Sequence, residues 1–232
     1  MTTPVASDTK AHDRARWAQW LLGFGALLAT AALWSSWQQL QLIQEVARGA
    51  NISDAELVAN DTRQQMFGVA QLGLGAASAV VFLMWTSAHT KRLIELSVSD
   101  LRYAPKWSVW GFIVPILNLF RPYQVMSELW KASDLRPGPD DPWVKKPTPL
   151  IVNLWFAILV VDNIVGRLVS PAALDTMEQV LRASWLTVLF DALGAVTAVV
   201  ALRLVAEIDE RLRVSEARLA EAPARTTVVP AV

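Results

Sequence analysis

The sequence has no cysteine and only two histidines, His12 and His89, among its 232 residues. The absence of cysteine excludes disulfides, thiolate metal ligands and cysteine nucleophiles. Two histidines are too few for a metal site built from histidine, and they leave little for acid–base catalysis by the commonest side chain. His89 lies at the inner end of an apolar run, where we expect it to be exposed at a membrane interface.

Motifs that bind phosphate or support catalysis are also lacking. The sequence contains no phosphate-binding glycine loop, no H-E-x-x-H, no G-x-S-x-G and no kinase motif set. We therefore predict a protein that is not an enzyme and has no cofactor and no metal.

Charged residues are scarce, at 18% of the chain, whereas 53% of the residues are hydrophobic and the mean hydropathy is +0.33. This composition is typical of an integral membrane protein. Basic and acidic residues number 21 each. Because the net charge is zero, no overall field favours nucleic acid as a partner.

Four apolar runs are long enough to cross a bilayer as helices, at about 17–37, 66–88, 148–171 and 184–206. The first begins and ends with tryptophans, as expected where a span meets the two interfaces, and it is longer than the core of a signal peptide. We predict a cytoplasmic tail at 1–16 and a membrane domain at 17–206. A cytoplasmic helix should continue to about Ala220, and a disordered tail should complete 207–232.

The segment 107–132 is apolar but too short to cross comfortably. Its first fourteen residues, 107–120, make only about 21 Å of helix against a hydrocarbon core of roughly 30 Å, and Pro115 interrupts them. Irregular backbone at this depth needs protein or water around it. The predicted fold class is therefore all-α integral membrane, with four transmembrane helices plus one broken re-entrant or interfacial helical hairpin.

The distribution of lysine and arginine indicates how the chain threads. If 107–132 enters and returns, 17 of the 21 basic residues lie on the same side as the N-terminus. If it crosses, the two sides hold 9 and 12, with the excess outside. The positive-inside tendency favours the first arrangement, with both termini in the cytoplasm.

Polar residues inside the apolar segments are the candidate site, because each needs a partner or a function at that depth. Counting rise per residue from the membrane surface places several at one level and predicts an intramembrane polar cluster, with an arginine offsetting the two aspartates. The alternative is that the same residues only fix helix register. The candidate members are Asn118, Arg121, Asp162, Asn163, Arg167 and Asp191.

Three local patterns make further structural predictions. Ser53-x-x-Glu56 has the form of a capping box that starts a helix. Gly75 and Ala79 form a small-xxx-small pair, which should allow close approach of a neighbouring helix. An apolar stripe near the C-terminus suggests a coiled-coil seam, although packing on the chain's own cytoplasmic loops is favoured over a dimer zipper. This stripe consists of Val205, Ile208, Leu212 and Leu219.

The run P-I-L-N-L-F-R-P-Y-Q-V-M over 115–126, with W-S-V at 107–109 and E-L-W-K-A-S at 128–133, resembles the core of a bacterial membrane-protein family, domain-of-unknown-function family 4328. The motif residues are Pro115, Asn118, Arg121, Pro122, Tyr123 and Gln124. The resemblance extends more loosely from the first span to the last. One departure is Arg92, where the family pattern leads us to expect asparagine. The resemblance implies a bacterial cytoplasmic (inner) membrane and supplies no activity.

Three functions are compatible with these observations. The first is an accessory or scaffolding membrane protein that acts through the bilayer and through protein partners or self-association. The second is a small transporter or channel whose path includes Asn118, Arg121, Asp162 and Asp191. The third is a lipid-acting membrane enzyme, for which acids are present but no base or nucleophile set accompanies them.

Overall fold

A computed structural model describes residues 9–114, 116–135, 143–169 and 175–221 of the chain. Throughout these ranges the regular structure is helical. The elements are α1 (Thr9–Ala47), α2 (Asp54–Glu95), α3 (Pro105–Ile113), α4 (Arg121–Ala132), α5 (Leu150–Val169) and α6 (Met177–Glu221), with single 3-10 turns at Leu117–Leu119 and Trp143–Lys145. Helices α1, α2, α5 and α6 are long and apolar enough to cross a membrane. The predicted all-α class with four such helices is confirmed. Pro115 and the predicted disordered tail lie outside the described residues.

Three of these helices are much longer than a bilayer requires. Helices α1, α2 and α6 have 39, 42 and 45 residues, or about 58 to 68 Å of helix against roughly 30 Å of hydrocarbon. Helix α6 continues without a break from the last apolar run to Glu221, one residue beyond the predicted end. Helix α2 begins with the predicted capping box, in which Ser53 and Glu56 exchange hydrogen bonds.

Helix α1 lies between α2 and α6 and runs antiparallel to both. His12, near the start of α1, contacts Asp209 in the last third of α6, and Ser36, in the last third of α1, contacts Asp191 in the first third of α6. Ser35 likewise contacts Gln64 in the first third of α2. The start of α1, the end of α2 and the end of α6 therefore meet at one end of the bundle, which we call the stem.

The segment between α2 and α5 doubles back on itself. Helix α3 ends after nine residues because Val114 takes an extended conformation, with φ −72° and ψ 122°. A Cβ atom on Gly111 would lie only 2.9 Å from the Cβ of Arg121, so the start of α4 passes directly against this glycine. Pro122 then lies in the first turn of α4, where its missing N–H costs nothing. The segment is thus a broken helical hairpin, as predicted, whereas its re-entrant or interfacial position in the membrane stays a prediction.

The tightly packed core lies towards the stem and not at the middle of the predicted spans. The buried core cluster draws on the start of α1, the end of α2, α4, the start of α5 and the second half of α6. It includes Ala15, Ala18, Trp85, Leu93, Met126, Leu129, Val152, Leu204, Val205, Ile208 and Leu212. The C-terminal stripe thus packs inside the chain, as the favoured interpretation predicted, and only Leu219 is exposed.

The middle of α2 shows the opposite pattern. Gly75 and Ala79 are exposed, and a Cβ placed on Gly75 would meet no described atom within 4 Å apart from the adjacent backbone of α2 itself. The neighbouring helix expected at this pair is therefore not supplied by the described part of the chain. Met66 and Leu72, also exposed on α2, continue the same apolar surface, which suits contact with lipid tails.

Candidate functional site

The structure distributes the predicted polar cluster over separate places. Asp191 is 4% exposed, and its carboxylate accepts hydrogen bonds from the Ser36 hydroxyl and, at 2.9 Å, from the Gln71 amide. Both partners are neutral and neither belongs to the predicted set. Sequence reasoning missed them because they come from α1 and α2, far from Asp191 along the chain.

Among the described residues, no hydrogen bond or ion pair joins the three candidates on α5 to Asp191. One carboxylate oxygen of Asp162 is buried and has no hydrogen-bond partner among the described residues. Asn163 is exposed and donates to the Leu159 carbonyl of its own helix at 2.8 Å. Arg167 is exposed.

Asn118 and Arg121 lie in the hairpin. The backbone N–H of Asn118 closes the turn after α3 by donating to the Val114 carbonyl at 2.8 Å. No hydrogen bond or ion pair joins any two of the six candidates across the described ranges. The depth count assumed a straight helix from 107 to 120, but the break after Ile113 returns Arg121 to the level of Gly111.

Residues of the family-like motif instead contact the loop that precedes α3. The Arg121 guanidinium stacks over the Tyr103 ring, 4.7 Å from its centroid. The Tyr103 hydroxyl donates to the Gln124 amide oxygen at 2.6 Å, and its side chain is only 6% exposed. Two motif residues thus contact one buried tyrosine, Arg121 at the face of its ring and Gln124 at its hydroxyl.

Glu128 holds the backbone of the same loop. Its carboxylate accepts hydrogen bonds from the N–H of Arg102 at 2.9 Å and from the N–H of Tyr103 at 3.3 Å. Residues 121, 124 and 128 follow a spacing of three and four, which places them on one face of α4. On a neighbouring face, the Tyr123 ring packs against Phe156 of α5, with centroids 5.5 Å apart.

Arg121, Gln124 and Glu128 of α4 therefore form a clamp on the loop at Arg102 and Tyr103. Two adjoining cavities open beside this clamp, and we call the clamp and the two cavities the hairpin site. The smaller cavity, about 240 Å³, extends from Tyr103 past Gln124 to Lys131 and Trp143. The larger, about 410 Å³, is lined by Arg102, Tyr103, Trp107, Gly111, Leu117 and Arg121. Arg102 and Tyr103 belong to both cavities. The motif residue Pro115 lies outside the described part of the chain.

A second polar site occupies the stem. His12 of α1 contacts Asp209 at 2.6 Å and Glu216 at 3.0 Å, both on α6. Arg92 of α2 is 5% exposed and bonds the other oxygen of Glu216 at 2.6 Å. Arg213 pairs with Asp209 at 3.0 Å. These ion-paired residues form what we call the charged layer, which ties three helices together.

The charged layer requires a protonated His12. Both ring nitrogens of His12 contact a carboxylate oxygen, since Nδ1 lies against Asp209 and Nε2 lies against Glu216. A carboxylate oxygen accepts and does not donate, so contacts at both ring nitrogens require a proton on each and therefore a charged imidazole. The hydrogen bond to Asp209, followed by that to Glu216, raises the pKa of His12 to about 9. His12 lies five residues before the first predicted span.

His89 lies in a different environment from the one that the sequence predicted. The expectation that His89 is exposed is wrong: its side chain is fully buried, and Nε2 lies 2.7 Å from the Ser133 hydroxyl oxygen at the end of α4. Its ring packs against Trp85 one turn earlier. The hairpin covers this face of α2, and the hydropathy of α2 alone does not indicate that cover.

Sequence reasoning also missed the charged layer. One signal was available: Asp209 and Glu216 are seven residues apart, which places both carboxylates on one face of α6 beside the buried stripe. Arg92, which departs from the family pattern, forms an ion pair with Glu216. The loop after α4 is tied to α6 as well, since Asp134 pairs with Arg211 at 3.3 Å.

Comparison with known proteins agrees with the motif. No curated protein and no solved structure matches the chain. The model of one family, described as domain of unknown function DUF4328, matches residues 48–210 and so covers α2 to most of α6, including the whole hairpin site. The chain therefore belongs to the DUF4328 family.

Proposed function

We propose that this protein is a non-enzymatic accessory or scaffolding protein of a bacterial cytoplasmic membrane, with four crossings and both termini in the cytoplasm. The observation that carries the proposal is the charged layer. It joins α1, α2 and α6 where these helices extend beyond the predicted spans, and its side chains are paired with one another. Paired charges stiffen a structure, whereas a transport path needs groups that can exchange partners.

The stem offers a partner protein a rigid surface outside the bilayer. Removing one member of a buried ion pair typically costs about 3–5 kcal/mol, so the layer resists separation of its three helices. On the exposed face of α6, away from the buried core, the apolar residues Val214 and Leu219 are 37% and 38% exposed. These two side chains lie on the part of α6 that follows the last predicted span.

Site-specific photocrosslinking tests the scaffolding role. A photoreactive amino acid at Val214 or Leu219 should yield a discrete crosslinked adduct in cells, identified by mass spectrometry. The same group at Leu212, which is fully buried, is the matched control and should give none. If Val214 and Leu219 behave like Leu212, the stem is not a partner surface.

Cysteine labelling tests the orientation in this cysteine-free chain. Ala50→Cys, in the exposed turn between α1 and α2, should react with an impermeant thiol reagent applied outside intact cells. Val214→Cys should react only after the cells are opened. A cysteine at Asp140, which lies outside the described residues, should behave like Val214→Cys if the hairpin returns. The reverse pattern would invert the proposed topology.

A proton or cation pathway through Asp191 is the second candidate. The observation that favours it is a buried carboxylate in a predicted span whose described partners, Ser36 and Gln71, are both neutral. Asp191→Asn should then abolish dissipation of an imposed ion gradient in proteoliposomes, with Asp162→Asn as the control carboxylate. A wild-type protein that dissipates no proton or sodium gradient would favour scaffolding.

A further inference from the structure

The larger cavity of the hairpin site is lined by two arginines and by no carboxylate. Arg102 enters it from the loop before α3, and Arg121 enters it from the start of α4. The remaining lining residues are Tyr103, Trp107, Gly111 and Leu117. Two guanidinium groups facing one cavity repel each other unless an anion lies between them.

Neither guanidinium is paired within the described residues. Arg121 is held by its stack on the Tyr103 ring, and a stacked guanidinium keeps its in-plane N–H donors available. The Arg102 side chain is exposed. Glu128 lies near enough for its charge to act on Arg102, but its carboxylate already accepts two backbone N–H groups of the loop.

The start of α4 adds positive potential at the same place. Arg121 is the first residue of this twelve-residue helix, and no side chain caps its N-terminus. The N-terminal end of a helix carries about half a positive charge, so it reinforces the two arginines. Arginine binds phosphate by paired N–H donors, and the arrangement therefore favours a phosphate-bearing anion over other small ligands.

The surroundings of the cavity indicate where that phosphate comes from. Trp107, which lines it, is 60% exposed, and Ile116 and Leu119, in the same turn as the lining residue Leu117, are 73% and 68% exposed. An exposed tryptophan next to exposed aliphatic side chains is typical of the interface between headgroups and acyl chains. A free phosphate would use the arginines alone, whereas a phospholipid would also cover the apolar rim.

We propose that the hairpin site binds an anionic phospholipid, with its phosphate between Arg102 and Arg121 and its acyl chains along the rim formed by Trp107, Ile116 and Leu119. Basic cavities between membrane helices commonly select anionic headgroups. The clamp of Tyr103, Gln124 and Glu128 holds the loop so that Arg102 faces Arg121 before the lipid arrives.

The test is native mass spectrometry of the full chain, purified in detergent and titrated with phosphatidylglycerol, phosphatidylcholine or inorganic phosphate. We expect the wild type to prefer phosphatidylglycerol. Arg102→Gln should weaken this binding about tenfold, the effect of losing one charge-assisted contact. The control is Lys106→Gln, which removes an exposed charge near the cavity that does not line it; its binding should stay within about twofold.

Three results would overturn the proposal. Arg102→Gln could bind phosphatidylglycerol as the wild type does, or Lys106→Gln could lose as much as Arg102→Gln, which would indicate a general surface charge effect. Displacement of the lipid by inorganic phosphate at equal concentration would identify free phosphate as the ligand. Arg102 carries the test because its side chain makes no hydrogen bond in the described structure, so its loss should leave the fold intact. Arg121→Gln, which also removes the stack on Tyr103, serves as a second variant.

Discussion

Replacing His12 by glutamine should destabilise the stem in a pH-dependent way. The contacts of His12 with Asp209 and Glu216, at 2.6 and 3.0 Å, raise its pKa from 6.5 to about 9. A difference of this size corresponds to roughly 3 kcal/mol of stability while the imidazole is charged. Solvent screening at the edge of the stem reduces the expected value to about 2 kcal/mol.

The sign follows from which state binds the proton more tightly. Below pH 6.5 the imidazole is charged in both the folded and the unfolded chain, and the stabilisation is complete. As the pH rises from 6.5 through 9, the unfolded chain releases its proton first, and the advantage of the folded state is progressively lost. The difference between wild type and His12→Gln should therefore be about 2 kcal/mol at pH 6 and close to zero by about pH 9.5.

Unfolding in mixed micelles, followed by tryptophan fluorescence at pH 6, 7.5 and 9.5, measures this difference. Arg167→Gln, which removes an exposed charge far from the stem, is the control and should show no such trend. A difference between wild type and His12→Gln that stays constant with pH, or grows as the pH rises, would refute the assignment of a charged His12. Arg213, whose Nε lies 3.4 Å from the ring, acts against that charge, so Arg213→Gln should enlarge the effect.

Three further predictions concern the charged layer and the hairpin. Glu216→Gln should lower the free energy of unfolding by about 3 kcal/mol at pH 7, because it leaves Arg92 buried without its closest acid; a loss below about 0.5 kcal/mol would show that the layer is not structural. Gly111→Ala should cost about 1–3 kcal/mol, since its methyl group would lie 2.9 Å from Arg121, whereas Gly73→Ala meets open space and should be neutral or stabilising; equal effects would contradict the close approach. Glu128→Gln should speed hydrogen exchange at the loop N–H groups it holds, measured by mass spectrometry; unchanged exchange would mean that the loop is held by other contacts.

Most of the architecture could be predicted from the sequence because it follows from solvation of the chain. A backbone in hydrocarbon must satisfy its own hydrogen bonds, so four long apolar runs become four helices whatever their neighbours. The hairpin was also predictable, because fourteen apolar residues interrupted by a proline make a segment that is too short to cross a bilayer comfortably. The capping box at Ser53 needed only local spacing.

The candidate site could not be assembled in the same way. Depth along a helix gives one coordinate, and two residues at the same depth can lie on opposite faces of a bundle. Asp191 therefore accepts hydrogen bonds from Ser36 and Gln71, and it does not pair with either of the arginines that the sequence predicted for it. In the hairpin site, Arg121 and Gln124 of the family-like motif contact the Tyr103 side chain, and Glu128 holds the backbone of the same loop. Nothing in the spacing of these three residues indicated that they meet this loop.

The amino-acid sequence by itself determined the helical class, the number of apolar helices and the break in the segment 107–132, because each depends on hydropathy and local backbone preference alone. Only the tertiary structure decided that the start of α1 meets the end of α6, which brings His12 to Asp209 and Glu216 across about two hundred residues. It also decided that Arg121 returns to Tyr103. Such pairings depend on which helix faces meet, and that choice is made by packing of the whole chain.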